Sequence, residues 1–296
     1  MKSTLPFIKE VFAQWSQDKA MIWAAAIAYY AIFSIAPLLL IVISISALVF
    51  GQAAARGQIL GLLDQTIGPT AAKAVQSMLA NAGARPLSGI LGTIIGFLIL
   101  FWVASNIFKF LQMAIDTMWG IEPEPGGGIK AFLKARVAAA AMVIIMGVIL
   151  LSSFLLSTLL SVFWQQLQQV IQFPSLLLSI GDVLVSLIVV WVLFAFIFKF
   201  LPHAQVEWGP VWIGSAATAV LFTIGKFIIS IYIGQSNVAS SYGIVGSLVV
   251  LLIWINYSVQ IFLLGAELIQ AIVRRHGHRV EPARGGVKSG SLQPQG

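Results

Sequence analysis

The 296-residue chain is 59% hydrophobic and only 9% charged, contains no cysteine and carries a formal net charge of +7. Its mean hydropathy of +0.97 excludes an ordinary soluble domain and marks an integral membrane protein. Without cysteine there is no disulfide, no thiolate metal site and no Cys nucleophile.

The chain opens on "FIKEVFAQWSQDKA", in which Phe7, Ile8, Val11, Phe12 and Trp15 share one helical face. This predicts an amphipathic helix over 1–20, either lying on the cytosolic leaflet or packing on the protein's own cytosolic loops. Six apolar stretches follow, at 21–50, 88–109, 137–163, 176–200, 210–233 and 243–270. Each is long enough to cross a hydrocarbon core of about 30 Å, and each lacks the alternation of a barrel strand. The expected fold class is therefore all-α, a polytopic membrane protein with a six-helix domain over 21–275. The remainder, 276–296, has the composition of a disordered tail.

In the first span, Pro37 removes a backbone hydrogen bond and predicts a kink near Phe33 and Ser34. Pro37 and Ser34 are thus a candidate hinge, although a static kink satisfied by the Ser34 hydroxyl is the plainer reading. The connection to the second span is too polar to cross, and Gly68 and Pro69 divide it into two short helices. In the second span, Gly92 and Gly96 form a small-residue strip suited to close helix packing. At its end, Ser105, Lys109, Gln112 and Asp116 recur on one face, either as a solvated stripe or as one wall of a polar cavity.

Spans four and five are joined by a short connection, so Asp182 and Lys226 should stand at similar depth and form an intramembrane ion pair. The sixth span carries Asn256, Gln260 and Glu267 within about 40° of one another on a helix. Glu267 lies about 16 Å further along than Asn256, near Arg274 and Arg275. It is therefore expected at the inner interface, with no need of deep burial, which leaves the two amides as the stronger pathway signal.

Lys and Arg sort the connections. With the N-terminus inside, only Arg56, Lys73 and Arg85 fall outside, Lys226 lies within a span, and the others are cytosolic. Both termini are then cytosolic, and the positive charge is a topology signal that implies no nucleic-acid partner.

Three segments, "AAAIAYYAIFSIAPLLLIVI" (24–43), "LPHAQVEWGPVWIGSAATAVLF" (201–222) and "SYGIVGSLVVLLIWINYSVQIFLLGAEL" (241–268), resemble the YihY/BrkB membrane protein family, historically labelled ribonuclease BN-like. The resemblance runs from about Asp18 to about Arg275 and implies a bacterial inner-membrane protein with six spans. Tyr29, Tyr30, Pro37, Gly243, Gly246, Gly265 and Glu267 match its pattern, the glycines as helix-packing positions.

The residues speak against a nuclease, because His203, His276 and His278 are scattered and the acidic residues show no metal-ligand spacing. No phosphate loop, nucleophile elbow or HExxH pattern appears, so no enzyme, cofactor or metal site is expected. What remains is a transporter or translocase of a small solute, ion or lipid that is not itself ATP-driven. The alternative is a non-catalytic envelope scaffold, whose partners would be the bilayer, further copies of the chain or envelope proteins. The candidate pathway set is Asn256, Gln260 and Glu267, with Lys109, Gln112 and Asp116 opposite and Glu267 as the ion or proton site.

Overall fold

A computed structural model describes residues 4–83, 89–123, 137, 141, 145, 148, 175–235, 243–275, 280–283 and 286–288. The described elements are α1 (Thr4–Gln17), α2 (Ala20–Phe50), α3 (Gln52–Gly83), α4 (Gly89–Met118), β1 (Ile121–Pro123), α5 (Ser175–Phe200), β2 (Ala204–Gln205), α6 (Trp208–Gln235), α7 (Gly243–Arg275), β3 (Glu281–Pro282) and β4 (Gly286–Lys288). Among the described residues, four helices have the length and apolarity to cross a membrane: Ala20–Ser44, Val183–Phe200, Trp208–Ile229 and Gly246–Arg275. The expected second span lies in α4, which continues to Met118. Of the expected third span only Val137, Ala141, Ile145 and Val148 are described, all helical; the rest of 137–163 lies outside the described residues.

α7 is the central element, packing against α1, α2, α3, α4 and α6, while α2 also meets α3 and α4, and α5 meets α6. Its apolar residues explain this position. Val250, Leu251, Leu263, Ala266 and Ile269 are all buried, so α7 lacks a single exposed stripe over that length. Small residues let α6 and α7 approach closely. A Cβ on Gly265 would collide with the Thr218 hydroxyl, one on Gly225 with the Tyr257 ring, and one on Gly214 with the Ile269 side chain. Without a hydrophobic force between helices in lipid, such close backbone approach and the van der Waals contact it allows are what hold a pair together.

α3 is two helical halves that meet at Gly68, where φ is 80° and ψ 163°. Gly68 accepts a positive φ that a side chain would oppose, and Pro69 disfavours helical geometry in the residue before it while starting the next turn well. Buried Ala71, Ala74, Val75 and Leu79 line the second half, and α3 packs on α2 and α7.

In α2, Pro37 is inside the helix. The Ser34 hydroxyl lies 3.1 Å from the Tyr30 carbonyl and 2.9 Å from that of Val103 on α4, so its one proton is shared between its own helix and the neighbour. The feature read as a candidate hinge is thereby also a tie between α2 and α4.

Of the tail expected to be disordered over 276–296, residues 280–283 and 286–288 are described, and these depart from that expectation. β4 pairs antiparallel with β1, with Glu122 opposite Val287, and β3 pairs with β2, with Ala204 opposite Pro282. The Ala283 amide donates to the His203 carbonyl at 2.8 Å. Composition signals how little apolar surface a segment carries, but these residues are ordered by edges that other connections offer to them.

Candidate functional site

The end of the bundle where α1, α4 and α7 finish, together with the turn between α5 and α6, gathers most of the buried polar groups. Asp116 on the last turns of α4 is only 5% exposed, and both its oxygens are engaged. Oδ1 accepts the His203 backbone N–H at 2.8 Å, and Oδ2 lies 2.8 Å from His203 Nδ1, which donates in its Nδ1–H form. Gln112, one turn earlier, donates to the Leu201 carbonyl. The stripe on α4 therefore clamps the turn between α5 and α6, with Lys109 left exposed. Ser105 lies on α4, and its side chain is outside the described residues.

The remaining stripe positions are equally definite. Gln260 Nε2 donates to Asn256 Oδ1 at 2.6 Å on the same helix, so the two amides are linked across one turn in a half-buried setting. Glu267 contrasts with both. It is fully buried, although its place on α7 near Arg274 and Arg275 gave no need of deep burial, and no donor among the described residues reaches either of its oxygens. Depth along the helix axis did not decide its burial, because α1 folds back over the end of α7 and covers it. Trp15 Nε1 on α1 donates to the Gln260 carbonyl at 3.3 Å, and the Arg275 guanidinium stacks 3.8 Å from the centre of the Phe7 ring.

What stands beside Glu267 is a second carboxyl, that of Asp18, at the junction of α1 and α2. The next residue, Lys19, holds a left-handed backbone with φ 54° and ψ 38°. That conformation costs a non-glycine residue about 1 kcal/mol and breaks one helix from the next. Gln270, one turn after Glu267, is 4% exposed. It donates Nε2 to the Met118 carbonyl at 3.1 Å, and its Oε1 has no donor among the described residues. Trp119 Nε1 donates to the Ala266 carbonyl at 3.1 Å, closing the same corner.

A cavity of about 650 Å³ lies on the other side of this end, lined by Lys199, Glu207, Pro210, Ile213, Ile272 and Glu281 among others. Lys199 Nζ is bonded to the Val206 carbonyl and lies 5.4 Å from the centre of the Trp208 ring. Lys226 Nζ lies 6.0 Å from the centre of the Phe227 ring, and the side chain of its expected partner Asp182 is outside the described residues. The surroundings of Gly92, Gly96 and Gly243 likewise lie outside the description, whereas Gly246 is buried. Among the described residues no three of His, Asp and Glu come together as a metal site would require.

The sequence model of the family described as Virulence factor BrkB matches residues 11–286, nearly the whole chain. The chain belongs to the BrkB family. It is similar to the putative ribonuclease-like protein YfkH of Bacillus subtilis strain 168, at 22% identity over 279 residues that cover 92% of this chain and 96% of the relative. It is also similar to UPF0761 membrane proteins. That of Psychromonas ingrahamii is 26% identical over 90% of this chain and 88% of its own length, and that of Actinobacillus pleuropneumoniae is 26% identical over 90% and 93%. No solved structure matches.

For this BrkB-family chain, the polar groups that sequence reading passed over are His203, Asp18, Gln14 and Gln270. Local spacing contains part of the signal: Gln270 is three residues after Glu267, and Asp18 four after Gln14, so each pair shares a helix face. Nothing in the spacing joins one face to the other, because that contact depends on how α1 folds back.

Proposed function

We propose that this BrkB-family membrane protein is an ion-coupled or passive transporter or translocase of a small solute, ion or lipid, and not an enzyme. It would sit in the bacterial inner membrane with both termini cytosolic, as the distribution of Lys and Arg suggests. The observation that carries this reading is Glu267, a carboxyl buried in the central helix without a donor among the described residues. An ionisable group kept in such a place is costly, and in membrane proteins such groups commonly mark ion pathways and proton relays. Asp116 and Gln112 belong to the support of this site, since they hold the turn between α5 and α6. No ATP-binding loop is present in the sequence, so coupling would come from a gradient.

The alternative reading, an envelope scaffold, draws on the same support. The strand pairs that bind the tail to the two turns make a well-tied face suited to a partner. Reconstituted protein decides between them. The transport reading expects gradient-driven flux of an ion, osmolyte or lipid across proteoliposomes, reduced about tenfold or more in Glu267→Gln, an interaction loss of about 1.4 kcal/mol. Absence of flux for all three classes, with the protein folded, would favour the scaffold.

A further inference from the structure

Two short polar faces meet where α1 covers the end of α7. Phe7 lies against Arg275 and Asp18 against Glu267, so α1 runs antiparallel to the end of α7. Gln14 stands one turn before Asp18 on α1, and Gln270 one turn after Glu267 on α7. The Gln14 Oε1, Gln270 Oε1 and both Glu267 oxygens are buried and lack a donor among the described residues. The orientation of Gln270 follows from its neighbour, since the Met118 carbonyl can only accept and so must face the amide nitrogen. Asp18 and Glu267 are also both acceptors when ionised, and make a hydrogen bond only by sharing a proton.

Among the described residues, the buried polar atoms left without a partner are thus all acceptors. Each buried acceptor left alone costs about 1–3 kcal/mol, so a group of them is stable only with something electropositive among them. The charged groups acting on Glu267 are Asp18 from the junction of α1 and α2 and Arg274 from its own helix. The Arg274 side chain is exposed at the helix end. From the end of α4 and the residue after it come the neutral Met118 and Trp119, and α2 brings Ala20 and Ala24 into the same buried core.

We propose that Asp18, Glu267, Gln14 and Gln270 form a binding site for one small monovalent cation, either a proton shared by the two carboxyls or a dehydrated sodium ion. Divalent ions fit less well: calcium takes six to eight oxygens, and magnesium keeps several waters that a fully buried carboxyl leaves no room for. The left-handed Lys19 would let α1 lift from α7 without unwinding α2, exposing the site. This deepens the transport reading and rests on it for the coupling role, while the site itself is testable without transport.

The test is carbodiimide labelling of the full chain in detergent, read by mass spectrometry at Glu267, since the reagent attacks protonated carboxyls in apolar surroundings. Parallel samples hold sodium chloride or the chloride of a bulky organic cation at equal ionic strength. Labelling that falls with rising pH and is suppressed about tenfold or more by sodium assigns a sodium site in competition with protons. Labelling that falls with rising pH and ignores sodium assigns a proton site. In either case Asp18→Asn should lower labelling at fixed pH by about tenfold, the factor that one pK unit of coupling between two carboxyls represents. No labelling of Glu267 in any condition, or labelling indifferent to both pH and sodium, overturns the proposal. Flux without labelling would remove the site and leave the transport reading, whereas labelling without flux would do the reverse.

Discussion

Asp116 and Glu267 are both carboxyls buried at the same end of the bundle, and they are used in opposite ways. Asp116 receives two hydrogen bonds from His203, one from the backbone and one from the ring, so burial and partners arrive together. Glu267 is buried more completely and has another carboxyl for a neighbour. The first arrangement is architectural: removing the acid leaves donors stranded. The second is one that packing alone would discard, because a neutral amide would fit the same space at lower cost. The contrast separates what holds this end of the molecule together from what the molecule keeps at an energetic disadvantage.

The sharpest way to break the comparison is to remove each acid in turn and follow thermal unfolding in detergent. Asp116→Ala is expected to destabilise by about 3 kcal/mol, because the His203 N–H and ring are left without their acceptor. Equal stability of this variant and the parent would show that the clamp is ornamental. Gly265→Ala, on α7 two residues before Glu267 and against Thr218, is expected to cost about 2 kcal/mol by overpacking the seam with α6. A loss much smaller than that would mean that α6 and α7 can part, and with them the wall of the corner.

Glu267→Gln is expected to change stability by less than about 1 kcal/mol, with a gain more natural than a loss, since it removes the cost of a buried ionisable group. A loss as large as that of Asp116→Ala would mean that Glu267 has a firm partner and would merge the two cases. The smallest effect should come from Lys19→Gly, a gain of about 0.5 kcal/mol from relieving the left-handed backbone, offset by the extra freedom of glycine in the unfolded chain. If α1 must lift for the site to open, the same variant should change labelling of Glu267 more than it changes stability.

Much of the architecture is legible in the sequence. Long apolar runs cannot do otherwise than form helices in lipid, where every backbone group must find a partner within its own segment. The apolar helices α2, α5, α6 and α7 accordingly match their expected bounds to within a few residues. The break at Gly68 and Pro69 was legible for the same local reason, a backbone preference written in two adjacent residues. The strands at 281–282 and 286–288 were not expected, because their pairing comes from β1 and β2, which lie far away in sequence.

The candidate site was legible only by halves. The polar stripe of Asn256, Gln260 and Glu267 was visible, since helical periodicity alone puts those residues on one face. Which of them is left without a partner depended on neighbours. Asn256 and Gln260 bond to each other across one turn, a pairing their spacing already allows, whereas Asp116 turned to a loop residue, His203, that no periodicity links to it. Glu267 became buried because α1 folds back across it, bringing Asp18 and Gln14 from the other end of the chain.

The sequence by itself determined that this is a helical membrane protein, which residues share each helix face, and where backbone geometry must break, because those properties follow from composition and local stereochemistry. Only the tertiary structure decided which polar groups are satisfied and which are left as acceptors. Hydrogen-bond partnership across helices depends on distances that no local spacing encodes.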